Sequence, residues 1–243
     1  MPVHSGRIGT YITNERGNVK TILLGIDGTG DLFMNTYRHE YQNSFVNKIC
    51  RESRAEVKKY LRGPALEGFD TGIISSEGHN FVRLAKFANP TALVVLTGWS
   101  RGAACVISVA NRLKDDDIGV DGMMLFDAVE RTIATFGVTY VPNNVKRLVH
   151  AKRDPGAFSH PSFGNCAKYW QHPTQCDQRS FFCTHSALGG IPSRPGPGVS
   201  SASFIYELPE VATSMVTYNM DSVGSMEVWS WAAPRLRTMG FFP

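Results

Sequence analysis

Residues 92–113 constrain the fold of this chain more than any other segment. Ala92-Leu93-Val94-Val95-Leu96-Thr97 is an apolar run of strand-forming residues that reads as a buried strand. The pentapeptide Gly98-Trp99-Ser100-Arg101-Gly102 follows at once, a G-x-S-x-G pattern. Ala103-Ala104-Cys105-Val106-Ile107 and the residues to Leu113 then read as a helix with small residues near its start. A strand that turns sharply into a helix presses the serine backbone into a strained conformation. The flanking glycines are needed because a Cβ there would collide with the neighbouring strand and helix. The pentapeptide alone is a weak signal in a chain with 23 glycines. The strand before it and the helix after it supply the weight.

The rest of the chain repeats this alternation. Lys20-Thr21-Ile22-Leu23-Leu24-Gly25-Ile26 reads as a strand, ending in the glycine-rich turn Asp27-Gly28-Thr29-Gly30-Asp31. A helix is predicted over 41–61, closed by Arg62-Gly63-Pro64, and a short one over 80–87. The run Asp115-Asp116-Asp117 reads as a solvated helix end. Further strands are expected over 122–126, 145–151 and 180–184. They end in Asp127-Ala128-Val129, Arg153-Asp154-Pro155 and His185-Ser186-Ala187. A Pro-, Gly- and Ser-rich loop covers 192–203, and helices are expected over 207–215 and 226–237. Alternating strands and helices imply an α/β fold, with a mostly parallel sheet covered by helices on both faces. No internal repeat or linker interrupts the chain, so one domain over 1–243 is expected.

The bulk properties exclude more than they assign. The 243 residues suffice for a sizeable core, and 42% hydrophobic with 19% charged residues is ordinary for a globular protein. A net charge of +4 is too small to argue for nucleic acid, and no nucleic-acid partner is expected. It suits approach to an anionic surface, although the signal is slight. Cys166, Cys176 and Cys183 lie near His160, His172 and His185, but the spacings match no standard zinc pattern. Neither a metal nor a cofactor is expected. One disulfide within that cluster is the alternative, should the protein reach an oxidising compartment. The amino terminus lacks the apolar core of a signal peptide, and no apolar run approaches a membrane span. A cytoplasmic location is expected, or export by a route that reads no such signal.

A serine hydroxyl is a poor nucleophile at neutral pH and needs a base, which in turn needs an orienting acid. With a serine on a strand-to-helix turn, the partners come from the ends of later strands, in the order serine, acid, histidine. His185 is the preferred base, because it follows the last convincing strand and precedes the flexible Gly189-Gly190. The bland alternative is a histidine in an ordinary loop. His150 is the rival, but it lies within a predicted strand and suits a packed role better. Two aspartates compete for the acid. Asp127 ends a fully apolar strand and would need a partner for its buried charge, whereas Asp154 sits where an ordinary turn also fits. Asp127 is preferred. The backbone N–H groups of Gly28 or Thr29, and of Arg101, are assigned to an oxyanion hole, with Asp27 ordering its turn.

Taken together these motifs resemble a branch of the α/β-hydrolases that includes the type VI secretion lipase effectors of bacteria. The resemblance rests on Asp27-Gly28-Thr29, Gly98-Trp99-Ser100-Arg101-Gly102-Ala103, Phe126-Asp127-Ala128-Val129, His150-Ala151-Lys152-Arg153-Asp154 and His185-Ser186-Ala187-Leu188-Gly189-Gly190. They occur in the family's order and span most of the chain. The chain departs from the pattern at Ala187, where relatives often carry aspartate, and at Pro155, where they carry an acidic residue. The resemblance implies a single-domain α/β-hydrolase that cleaves ester or lipid substrates through an acyl-enzyme on Ser100. It also implies membrane-surface contact and, for a secreted effector, an immunity or carrier protein. Two rival readings keep the fold: a non-catalytic binding module, and an acyltransferase or peptidase using the same three residues.

Overall fold

The computed structural model describes residues 20–31, 33–65, 68–130, 137–160, 163–207 and 212–243. In chain order its strands are β1 (Thr21–Ile26), β2 (Val57–Leu61), β3 (Leu93–Trp99), β4 (Gly122–Phe126), β5 (Tyr140–Val141), β6 (Arg147–Arg153), β7 (Tyr169–Trp170), β8 (Gln175–Phe181), β9 (Phe204–Glu207) and β10 (Ala212–Thr217). The helices are α1 (Met34–Tyr41), α2 (Phe45–Glu52), α3 (Thr71–Ala88), α4 (Ser100–Asp115), α5 (His185–Leu188) and α6 (Tyr218–Thr238). Six strands form one sheet in the order β2-β1-β3-β4-β6-β8. Every neighbouring pair in it is parallel.

The sheet is buried on both sides because its central strands β1, β3 and β4 are apolar at nearly every position. Side chains alternate between faces. Ile22, Leu24 and Ile26 of β1 therefore pack with Val94 and Leu96 of β3 into the core beneath α3 and α4. Leu23 and Val95 face the opposite core, with Val46 and Ile49 of α2 and Val228 and Leu236 of α6. The two edge strands are more polar: β2 carries Lys58 and Lys59, and β8 carries Gln175, Asp177, Gln178 and Arg179. Charge on an edge discourages pairing with another chain. All six carboxyl ends point the same way, so the turns that follow the strands gather along one rim. That rim is where ligands meet open parallel sheets.

Several boundaries differ from the sequence expectation. The helix expected over 41–61 is two elements, α2 and edge strand β2, with α1 preceding them. The polar alternation of Val57-Lys58-Lys59-Tyr60-Leu61 is that of a half-covered strand, which an amphipathic-helix pattern mimics. The helix expected over 80–87 begins nine residues earlier, at Thr71. Gly72 and Gly78 weaken its local helix signal, and Gly78 is required by packing, since a Cβ there would lie 2.9 Å from Leu24 Cδ2. The strand expected over 180–184 is β8, displaced towards the amino terminus into a polar stretch. Of the helix expected over 207–215, residues 208–211 lie outside the described residues, and the residues on either side belong to the antiparallel pair β9 and β10. Ser214 and Val216 are buried there while Thr213 and Met215 are exposed, the two-residue period of a strand. The closing helix starts at Tyr218, ahead of the expected 226.

All five cysteines are free thiols, so no disulfide joins Cys166, Cys176 or Cys183. Among the described residues no group of three His, Cys, Asp or Glu is placed to hold a metal ion. Among them, too, no helix is long and apolar enough to cross a membrane.

Candidate active site

Ser100 stands between β3 and α4 with φ of 56°, in the left-handed region that disfavours side chains. Both flanking glycines are needed by contact. A Cβ on Gly98 would lie 2.7 Å from Ala103 Cα, and one on Gly102 would lie 2.0 Å from Asp27 O. The elbow is therefore locked between its own helix and the turn after β1.

His185 opens α5 at the end of the segment that follows β8. Its Nε2 lies 2.8 Å from Ser100 Oγ, and its Nδ1 lies 2.7 Å from Asp127 Oδ2. All three residues are buried. A carboxylate only accepts, so Nδ1 carries the proton and Nε2 is the acceptor for the serine hydroxyl. Asp127 has φ of 39°, and its backbone N–H donates to Ala151 O at 2.8 Å. The Arg153 guanidinium lies 3.9 Å from Asp127 Oδ2, and the Arg153 N–H donates to Oδ1 at 3.4 Å. Burial pushes the Asp127 carboxyl up, but the His185 hydrogen bond and the His185 and Arg153 charges outweigh it and hold the group below the usual carboxylate range.

Asp154 is not brought to His185, which corrects its candidacy as the orienting acid. Its Oδ1 accepts from Gly156 N at 2.8 Å and caps the single helical turn Pro155–Ala157. An aspartate ahead of Pro-Gly folds back on its own turn. His150, the rival base, is buried within β6 and takes no part in this chain of hydrogen bonds. Burial pushes its imidazole down to about 4, so it stays neutral.

The turn after β1 corrects one assignment. Gly28 N–H donates to the carboxylate of Asp27 at 3.0 Å and so is committed. Thr29 N–H has no acceptor among the described residues. Tyr37 OH donates to Gly28 O at 2.6 Å, Gly63 N–H donates to Tyr37 OH at 2.7 Å, and Tyr41 OH donates to Thr29 O. Asp27 is fully buried and also accepts from Ser44 OH and from Tyr60 OH at 2.9 Å. Burial outweighs these bonds and raises its carboxyl to about 7. Arg101 follows Ser100 in the first turn of α4, where N–H groups have no intrahelical acceptor; its guanidinium donates to Ala65 O at 2.9 Å.

Several supporting residues carried no sequence signal. Asp221 of α6 accepts from Thr184 N at 2.7 Å, Thr184 Oγ1 at 3.0 Å and Ser193 N at 2.8 Å. It thereby ties down the residue immediately before His185. Ser159 Oγ accepts from His185 N at 3.0 Å and donates to Glu207 Oε1 at 2.9 Å. Phe163 stands edge-on to the His185 ring at 4.7 Å between centroids. The Trp99 indole fills the space between two glycine turns, since a Cβ on Gly28 would lie 2.6 Å from it and one on Gly189 2.2 Å. Its Nε1 donates to His185 O at 3.2 Å. Each of these contacts spans a long sequence separation.

Strand order, serine elbow and two-sided helical cover define an α/β fold with a mostly parallel sheet. No family model matches the sequence, and no curated protein matches it. Solved structures do match it. An uncharacterized protein from Pseudomonas aeruginosa is 13% identical with a TM-score of 0.45, over 71% of this chain and 42% of that one. A cutinase-like protein from Cryptococcus sp. is 15% identical with a TM-score of 0.28, over 58% of this chain and 56% of its own. The chain thus spans less than two thirds of either protein's length. A type II thioesterase from the yersiniabactin biosynthetic pathway is 11% identical with a TM-score of 0.36, over 70% of this chain and 88% of that one.

Proposed function

We propose that the protein is a serine hydrolase that cleaves carboxylic esters with an apolar acyl group, using Ser100 as nucleophile, His185 as base and Asp127 as orienting acid. The observation that carries this reading is the unbroken chain of hydrogen bonds from Ser100 Oγ through both ring nitrogens of His185 to Asp127. His185 takes the serine proton as Oγ attacks the ester carbonyl. The N–H groups of Thr29 and Arg101 stabilise the tetrahedral oxyanion. His185 then passes its proton to the leaving alcohol, and water cleaves the acyl-enzyme by the reverse sequence. Asp127 holds the imidazole tautomer and stabilises the imidazolium as it forms. The preference for an apolar acyl group is supported by exposed Phe33, Phe69 and Phe158, which lie in the segments that follow β1, β2 and β6. Lipid acyl esters are the natural extension of such substrates.

A fluorophosphonate probe and a series of p-nitrophenyl esters of increasing chain length test the reading together. Covalent labelling at Ser100 is expected, with hydrolysis that improves as the acyl chain lengthens. Ser100→Ala should abolish labelling and lower turnover by on the order of 10⁴ or more. A folded protein that neither labels nor hydrolyses any ester in the series would favour a binding module on the same fold.

A further inference from the structure

A cavity of about 270 Å³ opens beside Asp127 between the end of β6 and the segment 163–168. Asp127, His150, Lys152, Arg153, Phe163 and Lys168 contribute to its wall, and neither Ser100 nor His185 is among the residues lining it. The cavity is therefore separate from the place where an ester carbonyl would sit.

His150 gives this cavity its chemical character. The residue is only 3% exposed. Its Nε2 accepts the Ala128 N–H at 3.4 Å, which leaves the ring proton on Nδ1. That Nδ1 has no hydrogen-bond partner among the described residues. A buried donor without a protein acceptor is rare in folded proteins, and a bound ion or water is what ordinarily answers it. The charges on the wall discriminate between these. Lys152, Arg153 and Lys168 bring three cations to a wall with a single carboxylate, Asp127. That carboxylate is already held by His185 and by Arg153. The Lys152 ammonium donates to the neutral Gln178 Oε1 at 3.3 Å, and among the described residues neither Lys152 nor Lys168 has an ion pair with a carboxylate. A water molecule would answer the imidazole N–H but would leave this convergence of positive charge without a counterpart.

We infer that this cavity binds a phosphate group, as inorganic phosphate or as the head of a small phosphate monoester. The His150 Nδ1–H donates to one phosphate oxygen, and the Lys152 and Lys168 ammonium groups neutralise the others. A doubly charged tetrahedral anion suits donors on several walls better than a planar, singly charged carboxylate. Lys168 is exposed and stands at the mouth, where an entering anion meets it first. Phe163 would flank the organic part of a monoester.

Binding is measured directly on the full chain, without reference to any reaction at Ser100. Titration with inorganic phosphate, and separately with phenyl phosphate, is followed by calorimetry at constant ionic strength set with chloride. Acetate serves as the carboxylate control. Saturable single-site binding is expected for at least one phosphate compound. Binding of both would show that the free ion suffices, and binding of phenyl phosphate alone would identify the monoester as the ligand. Lys168→Ala should weaken the interaction about tenfold and Lys168→Glu further. Both replace an exposed side chain and should leave the thermal melt unchanged. His150→Phe, which keeps the ring volume but removes the donor, should abolish saturation. No saturable binding above chloride would overturn the inference. So would equal affinity for acetate, or an affinity untouched by Lys168→Glu.

Discussion

Ser100 and Asp127 share a backbone conformation that non-glycine residues seldom adopt, with φ of 56° and 39°. Each costs on the order of 1–3 kcal/mol and persists because its surroundings fix it. Ser100 is fixed by close backbone packing around Gly98 and Gly102, and Asp127 by the bond from its N–H to Ala151 O. In both cases the residue immediately after a strand is turned at the rim of the sheet. Asp127→Asn would replace Oδ2 with either a donor or a weak acceptor opposite Nδ1–H, favouring the wrong tautomer. Ester turnover is expected to fall by on the order of 10⁴, judging by the equivalent change in other serine triads. Asp154→Asn should stay within a few-fold, because its side chain serves only a local turn. Comparable losses in the two variants, in kcat/KM on one ester, would remove Asp127 from its assigned role. Both aspartates were legible as strand ends. The discriminating detail was the Pro155-Gly156 that follows Asp154, which gives its carboxylate a backbone N–H of its own. Which N–H the Asp27 carboxylate captures was not legible: it takes that of Gly28 and leaves Thr29 N–H without an acceptor among the described residues.

At the scale of elements, α5 is the least self-sufficient piece of the site. Four residues are far too few for a helix to stand alone. Its amino terminus is capped by Thr184, whose Oγ1 accepts from Ala187 N at 3.2 Å, and Asp221 of α6 holds Thr184 in turn. Asp221→Asn would place an amide group against two donors, Thr184 OH and Ser193 N–H, and leave one buried group unsatisfied. Urea denaturation should show a loss of about 1–3 kcal/mol. Turnover should fall while KM stays nearly constant, because the displaced group is the base and not a surface that meets the ester. A stability loss with unchanged turnover would confine Asp221 to a structural role. The central strands β1, β3 and β4 were legible because burial on both faces leaves them uniformly apolar. The edge strands β2 and β8 were not, since one-sided burial mixes lysine and glutamine into the pattern. The pair β9 and β10 was misread for a related reason: its apolar positions meet only the small cluster with Ala157, so few residues mark its period.

Across the whole molecule, two buried titratable groups pull stability in opposite directions. The Asp27 carboxyl is raised to about 7 from 3.8. Between those values the folded protein keeps a proton that the unfolded chain has lost, so this group's contribution declines as pH rises. The His150 imidazole is pushed from 6.5 down to about 4. There the unfolded chain binds a proton that the folded protein refuses, so stability declines as pH falls from 6.5 towards 4. Each effect amounts to on the order of 3 kcal/mol at its limit. Relative to the parent, Asp27→Asn should gain stability as pH rises from 5 to 7, and His150→Phe should lose it. Urea midpoints at the two pH values would read the slopes, and identical slopes in all three proteins would refute both assignments. One further consequence belongs to this scale. The Trp99 indole is walled by Gly28, from the first strand's turn, and by Gly189, from a turn formed far later in the chain. Neither turn closes the wall without the other, and bringing them together requires long loops to close first. The turn after β1 and the turn that carries His185 therefore share one indole wall, and neither is fixed independently of the other.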